Sequence, residues 1–442
     1  MTMFSRPFTH LKQYIARLLG LETQDGPVIF RGALGFFLLS VGYGLLRPLR
    51  EAFITGEVKN IQWLYLGTLG VMLVINPPFA WLVARLPRHL LIPMVFRGIS
   101  GIMLLFGLGF FLFPVDLGPG RGLRIAFVIA LSVFNLFLLS VFWGAMAGMS
   151  DAPSSRRRFG PIACGITLGM LTGATLTRWM AKIDSDSFIL FLFPLAAIFF
   201  ELAVHVRPGK RIAAENYSAK NGEKENSVST HQPFLDGVRL VGGSPYLLGI
   251  GGFLLCYTIT SSILSYLIHH AVSTEMIGEA ATTRFWAWET QWTNGLTLFG
   301  QMVIASRLIP RLGTGWTLAL LPLVTGGGFL LAGRLARLDD EIINGLSPYL
   351  LVLLILLITR KVVNYSLTKP AKESLYAGLG REERYAAKSL LDTFVYRLGD
   401  QVGIFAAAGL GWGAMALGWV VAPLALGWGV LGLWLGRKQA RR

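Results

Sequence analysis

The stretch that decides the fold is RKVVNYSLTKPAKESLYAGLGREERYAAKSLLDTFVYRLGD, residues 360–400. An apolar run, residues 350–358, leads into it, and a second apolar run, residues 402–412, follows it. A charged side chain at the centre of a membrane-spanning helix costs about 2.5–3.5 kcal/mol on insertion scales, so such charges usually mark a functional site. The stretch therefore predicts a polar, mainly basic binding site within membrane helices.

The composition of the whole chain is that of a membrane protein. Of its 442 residues, 53% are hydrophobic and 14% are charged, whereas soluble domains have about 45–50% apolar and about 25% charged residues. Apolar runs of about 20 residues, enough to cross the bilayer as a helix, recur along the chain. We count twelve such spans, centred near Phe37, Gly70, Leu104, Phe134, Met170, Phe193, Leu255, Leu298, Val324, Leu354, Ala407 and Leu426.

Charge indicates the orientation of these spans. The formal charge is +16, from 40 Lys and Arg against 24 Asp and Glu. With a cytoplasmic N-terminus, basic segments such as 156–158 and 437–442 fall inside, and acidic segments such as 339–341 fall outside. Because cytoplasmic loops collect Lys and Arg, both termini are predicted to be cytoplasmic, most simply in a bacterial inner membrane. The basic charge is explained in this way without a nucleic-acid partner.

A long polar stretch divides the spans into two groups of six. We predict an all-α polytopic membrane protein with twelve transmembrane helices in a major-facilitator-like 6+6 arrangement. Its parts are an N-terminal half (1–206), a cytoplasmic central loop (207–244) and a C-terminal half (245–442). Residues 234–241 could form a short amphipathic helix on the membrane surface. The halves echo each other, since each has a span, a basic loop and a glycine-bearing span, with Gly165, Gly169 and Gly173 in the first and Gly399, Gly403 and Gly409 in the second.

The first span ends in LRPLRE. If its helix runs from about residue 32 to 54, Arg47, Arg50 and Glu51 share one face, and Pro48 bends the helix there. The two guanidinium groups suit a phosphate or carboxylate. The alternative is that the span stops at Leu46 and leaves these charges among the lipid headgroups.

Other polar residues occur singly within spans. Asn135 either lines a cavity or bonds to a neighbouring helix. Tyr266 belongs to a polar stripe in the seventh span. His269 and His270 at the end of that span either relay protons or, as is commoner, lie at the membrane interface. Glu289, between Trp288 and Trp292, is a candidate counter-charge or proton site, or else an interfacial residue.

Residues 360–400 have the most regular geometry. Lys361, Tyr365, Thr368 and Lys372 recur at helical spacing, Arg360 and Asn364 form the adjacent row, and Pro370 is expected to break or kink the helix. Asp392, Tyr396 and Asp400 share a second face, beside Arg397. We expect Lys361 and Lys372 to bind substrate and the acidic residues to form ion pairs that act as gates.

Enzyme motifs are absent from the sequence. It contains neither GxxxxGK[ST], which an ATP-hydrolysing pump would need, nor GxSxG or HExxH. We therefore predict no enzymatic activity, no cofactor and no metal site.

Three segments resemble one known family. LRPLRE (residues 46–51), FWGAMAGMSD with FGPIACGITLG (142–151 and 159–169), and NYSLTKPAKESLY with REERYAAKSLLDTFVYRLGD (364–376 and 381–400) are similar to segments of the ATP/ADP antiporters of plastids and intracellular bacteria, especially their bacterial major-facilitator-like relatives. The resemblance implies nucleotide transport and ATP binding, with Arg50 and Lys372 at two basic positions implicated in transport. Two membrane-embedded glutamates of the family are replaced by Leu131 and Tyr266.

Together these features predict a monomeric secondary transporter that exchanges anionic, nucleotide-like (ATP/ADP-type) solutes by alternating access. The alternatives are a proton-coupled major-facilitator carrier of another organic anion or lipid, and a transporter-like sensor that moves nothing. The predicted substrate-binding residues are Arg47, Arg50, Asn135, Tyr266, Lys361, Asn364, Tyr365 and Lys372. The predicted gating or coupling residues are Glu51, Glu289, Arg360, Glu373, Asp392, Arg397 and Asp400.

Overall fold

Helices form the elements of this protein. A computed structural model describes residues 26–86, 88–113, 118–147, 152–183, 187–206, 233–336, 346–376, 379–380, 383, 387–388, 390–409 and 414–441. Of the predicted central loop (207–244) only residues 233–244 are described, and of the REER sequence (381–384) only residue 383 is described. Where described, the end of the central loop is helical, as predicted for residues 234–241.

In the first part of the chain, the described residues form six long helices. A short 3₁₀ turn, Val58–Asn60, joins the first two. The helices are α1 (Gly26–Gly56), α2 (Ile61–Arg85), α3 (Arg88–Leu112), α4 (Gly118–Ala147), α5 (Ala152–Ile183) and α6 (Phe188–His205).

The second part begins with the short helix α7. Three π-helical segments interrupt the helices that follow, at Gly300–Ala305, Asn364–Thr368 and Leu390–Val395. The helices are α7 (Pro233–Gly243), α8 (Pro245–Glu275), α9 (Glu279–Phe299), α10 (Ser306–Leu335), α11 (Pro348–Val363), α12 (Lys369–Leu375), α13 (Tyr396–Gly409) and α14 (Ala414–Ala440).

The predicted spans coincide with these helices. Each of the twelve predicted centres lies within a long helix, and within the described residues eight segments are long and apolar enough to cross a membrane. Among the predicted spans outside those eight, α9 carries a polar run in its second half and α13 has 14 residues. The chain is therefore an integral membrane protein, and the count of twelve spans stays a prediction.

The chain divides into two compact units. One contains Met1–Pro48 and Val74–Val228, and the other contains Leu49–Leu73 and Ser229–Arg442. The end of α1 and the start of α2 thus group with the helices of the second unit. Arg50 and Glu51 belong to that unit, whereas Arg47 belongs to the first.

Close helix packing in the first unit depends on the glycine stripe of α5. A Cβ atom added at Gly165 or Gly169 would collide with the backbone carbonyl of Ala33 or Phe37, both on α1. Only a residue without a side chain permits so close an approach. The packing role predicted for this stripe is confirmed.

The second unit repeats this arrangement. Added Cβ atoms at Gly399 and Gly403 on α13 would meet Thr258 and the carbonyl of Ile259 on α8. Two buried apolar clusters surround the contact, one containing Ile263 and Leu354 and the other containing Leu254 and Trp428. This packing fixes the position of α8 and therefore the positions of the polar residues that it carries.

Candidate functional site

The charged end of α1 lies within the helix. α1 continues through Arg50 and Glu51 to Gly56, so the helix does not stop at Leu46. The Arg50 guanidinium donates from Nη1 to Glu51 Oε1 at 2.7 Å, and the two side chains are 20% and 15% exposed. This basic group is therefore paired with a carboxylate on its own helix.

Glu51 also contacts a buried histidine cluster. Its Oε2 lies 3.4 Å from His269 Nε2, and His269 Nδ1 lies 2.8 Å from Thr55 Oγ1. Trp286 donates from Nε1 to Thr55 Oγ1 at 3.0 Å, and its ring centroid is 4.4 Å from that of His269. The Thr55 hydroxyl donates to the Glu51 carbonyl at 2.9 Å, and the tautomer of the imidazole decides which atom donates in its contact with His269 Nδ1. The cluster thus ties the end of α1 to α8 and α9.

His269 is buried within the protein, a placement that was not predicted from the sequence. His269 is 2% exposed and buried, whereas His270 is exposed. The available signal was periodicity, because His269 continues the polar stripe of Ser262 and Tyr266 at helical spacing. The partners Thr55 and Trp286 could not be found in this way because both lie on other helices.

Glu289 forms a buried ion pair in the second unit. It lies on α9, is 1% exposed, and accepts from Lys361 Nζ on α11 at 2.9 Å. The hydroxyl of Thr293 donates to the same oxygen at 2.7 Å, and that of Thr290 donates to the other oxygen at 3.3 Å. This carboxylate therefore lies inside the unit and is paired with Lys361.

The lysines of residues 360–400 do not share one helical face. The π-helical segment Asn364–Thr368 has a wider turn than an α-helix and shifts the register of everything after it. Tyr365 is consequently 38% exposed, whereas Thr368 is 4% exposed. The irregularity precedes Pro370, which has no N–H to offer the carbonyl four residues earlier. The prediction that Lys361, Tyr365, Thr368 and Lys372 share one face is therefore wrong. The irregularity predicted at Pro370 lies just before the proline, as the π-helical segment.

Arg360 is buried among neutral oxygens. It is 3% exposed and donates to Thr260 O at 3.1 Å, Thr260 Oγ1 at 3.0 Å, Ser261 Oγ at 3.0 Å and Tyr257 O at 3.4 Å. In the described part of the chain, no carboxylate lies within ion-pair distance of it. Asn364, one turn later, donates to the Tyr257 hydroxyl at 2.9 Å. These two residues fasten α11 and its π-helical continuation to α8.

The remaining charges of this region form separate ion pairs. Lys372 Nζ lies 2.7 Å from Asp392 Oδ1, with side-chain exposures of 12% and 34%. Glu373 accepts from Lys388 at 2.7 Å.

A further pair lies on α13. Arg397 donates to Asp400 Oδ2 at 3.5 Å, and Ser262 donates to Asp400 Oδ1 at 3.3 Å. The predicted common face of Asp392 and Asp400 is wrong, since the π-helical segment Leu390–Val395 separates them and each contacts a different partner.

Three other residues, Arg47, Asn135 and Tyr266, were also predicted to bind substrate. Arg47 and Asn135 are half-buried on α1 and α4 in the first unit. Tyr266 is half-buried on α8, with its ring centroid 6.0 Å from that of His270. Among the residues that the structure describes, no group of His, Cys, Asp and Glu could hold a metal ion.

Solved structures similar to this one are transporters. A bacterial homologue of the iron transporter ferroportin, crystallised in an inward-facing state, aligns with a TM-score of 0.59 and 12% identity over 95% of this chain and 100% of that chain. The nucleoside transporter NupG aligns with a TM-score of 0.55 and 11% identity over 94% of this chain and 99% of that chain. At such low identity these likenesses show the fold, which is that of a major-facilitator-like transporter.

Sequence comparison identifies the family. A search of curated proteins found no match. The family model described as TLC ATP/ADP transporter matches residues 125–410, which include α9, α11 and the ion pairs that follow α11. Because this match spans well over half of the chain, the protein belongs to the TLC ATP/ADP transporter family and is a membrane transporter, not an enzyme.

Proposed function

We propose that this secondary transporter exchanges anionic nucleotides of the ATP/ADP type by alternating access. The observation that carries the proposal is a set of partly exposed cations on helices of one unit, each paired with a carboxylate. Lys361, Lys372 and Arg50 are 23%, 12% and 20% exposed at their side chains. Membership of the family supports nucleotides as the substrate class.

In this proposal the phosphates of the substrate compete with the protein's own carboxylates. A charge-assisted hydrogen bond contributes about 1.5–3 kcal/mol, and a phosphate oxygen accepts from a lysine or arginine as a carboxylate does. Exchanging Asp392 for a phosphate at Lys372 therefore costs little. A ligand shifts a conformational equilibrium only by its differential affinity for the two states. A substrate that binds these cations more tightly when the ion pairs are open would therefore shift the carrier towards the conformation with open gates.

The proposal assigns each predicted site residue a role. Arg50, Lys361 and Lys372 bind phosphate, and Tyr365, with Arg47, Asn135, Tyr266 and Asn364, completes the substrate site. Glu51, Glu373, Asp392, Arg397 and Asp400 form the pairs that open and close. Arg360 keeps α8 and α11 moving together because its hydrogen bonds join them.

We also propose the overall organisation expected from the sequence. It comprises six-helix halves at 1–206 and 245–442, a cytoplasmic loop at 207–244, both termini in the cytoplasm, a bacterial inner-membrane location and a monomeric state. The positive-inside distribution of Lys and Arg supports the orientation. Cysteine labelling of residues 220 and 340 from each side of the membrane would test it, with labelling of the first from the cytoplasm alone expected.

The test of substrate class uses purified protein in liposomes loaded with ADP. Uptake of labelled ATP is expected in wild type, and Lys372→Gln should lower the apparent affinity about 10–100-fold, since one charge-assisted bond is lost. Arg97→Gln is the matched control, because Arg97 also pairs with a carboxylate, that of Glu201 at 2.7 Å, but its side chain is 58% exposed. It should stay within about twofold of wild type, as a surface ion pair contributes little. No ATP uptake by wild type, or equal losses in both variants, would refute the proposal.

A further inference from the structure

The Glu289 site is built to hold a negative charge. Lys361 Nζ and the hydroxyls of Thr290 and Thr293 all donate to its oxygens, at 2.9, 3.3 and 2.7 Å. An ionised carboxylate only accepts hydrogen bonds, so donors that converge from two helices match its charged form. Its burial at 1% exposure keeps competing water away. Glu289 is therefore a fixed anion inside the unit.

Lys361 is the accessible member of the pair. Its side chain is 23% exposed, and among the described residues Glu289 is its one hydrogen-bond partner. A soluble anion that approaches the pair meets the ammonium group and not the buried carboxylate. Substrate and Glu289 consequently compete for the same cation.

The pairing of Lys361 with Glu289 determines whether the carrier can change sides without bound substrate. If Lys361 stood alone, the empty carrier would have to move an uncompensated charge through a low-dielectric region, which is costly. A carrier of that kind changes sides only when an anion is bound, and so it exchanges strictly. With Glu289 in place, the pair is neutral when substrate is absent.

From this charge balance we propose that Glu289 is a built-in counter-anion that lets the empty carrier return. The protein then performs net, one-way transport of its anionic substrate in addition to exchange. The inference rests on the proposed function, because the substrate must bind Lys361 as an anion. Glu289 also weakens substrate binding, since the substrate has to displace it or share the ammonium group.

The experiment compares two fluxes of labelled ATP into liposomes that contain the purified protein. In one, the liposomes are loaded with ADP, and in the other they contain no nucleotide. Wild type should take up ATP in both, with net uptake within about tenfold of exchange, a difference of about 1.4 kcal/mol in barrier. This comparison needs no variant and stands even if a substitution fails to fold.

Variants assign the effect to Glu289. Glu289→Gln should reduce net uptake at least about tenfold more than exchange, because the empty site then carries an uncompensated lysine. Its half-saturation concentration for ATP in exchange should fall, since the internal competitor is gone. The double variant Glu289→Gln with Lys361→Gln should recover the wild-type ratio of net uptake to exchange, because the empty site is neutral again. Glu201→Gln is the matched control, since it removes an ion pair with Arg97 that is 38% and 58% exposed, and its ratio should equal that of wild type.

The outcomes separate the two proposals. Exchange without net uptake in wild type would overturn the counter-anion role and leave nucleotide exchange standing. A Glu289→Gln variant whose two fluxes fall in proportion would do the same. Absence of ATP flux in both assays would overturn the proposed function and this inference with it.

Discussion

Replacing His269 with phenylalanine tests the cluster at the end of α1. Phenylalanine keeps an aromatic ring beside Trp286 but removes both ring nitrogens. The lost contacts are the 2.8 Å bond to Thr55 and the 3.4 Å contact to Glu51. A neutral hydrogen bond contributes about 1 kcal/mol and a charged one about 1.5–3 kcal/mol, with the long contact at the low end. We expect His269→Phe to lower the free energy of unfolding by about 2–3 kcal/mol.

The adjacent histidine supplies the control. His270 is exposed, so His270→Phe should change the free energy of unfolding by less than about 0.5 kcal/mol. Reversible denaturation of both variants in mixed detergent micelles measures the two values. An equal loss in the two variants, or no loss in His269→Phe, would show that the contacts of His269 to Thr55 and Glu51 do not stabilise the protein.

Two further predictions concern contacts that do not involve substrate. Gly169→Val forces a side chain against the carbonyl of Phe37 and should cost at least about 3 kcal/mol, because a backbone atom cannot move aside as a side chain can. Gly98→Val, where an added Cβ atom meets open space, should leave the yield of folded protein unchanged, and a similar loss in both would contradict the packing argument. Arg360→Lys should destabilise the protein by about 3 kcal/mol or more, because an ammonium group cannot reproduce the bonds of the guanidinium fork. Arg360→Met should be the more stable of the two in thermal melts, because it also removes a buried charge, and the reverse order would mean that the charge itself is required.

The sequence predicted the helices well because a long apolar run is a local property of the chain. Every predicted span centre falls in a helix, and the spacing of Gly165 and Gly169 predicted close packing that the structure confirms. Polar spacing predicted less, because it assumes a uniform α-helix. The π-helical segment Asn364–Thr368 shifts the register, and no pattern in the sequence marked where it begins.

The ionic partners were the least predictable part of the site. Glu289 was a candidate counter-charge from its place in an apolar run, but its cation, Lys361, is 72 residues away. Such pairs depend on which helices lie side by side, and one sequence does not contain that information. The contact between Glu51 and His269 could not be predicted for the same reason, because it joins α1 to α8.

Two kinds of helix contact in this protein differ in how easily they break. Gly169 against α1, and Gly403 against α8, are backbone contacts without a side chain between the helices. Separating them would open a gap that no other group can fill. The Lys372 to Asp392 and Lys361 to Glu289 contacts join the tips of long side chains, whose charges can accept a phosphate or a carboxylate instead. We therefore expect the glycine contacts to persist through the transport cycle and the ion pairs to exchange partners. If so, glycine variants will reduce the amount of folded protein while each folded molecule keeps its transport rate. Ion-pair variants will fold in normal amounts, but each molecule will transport at a changed rate. A glycine variant that folds normally but transports slowly would show that the small-residue contacts move as well.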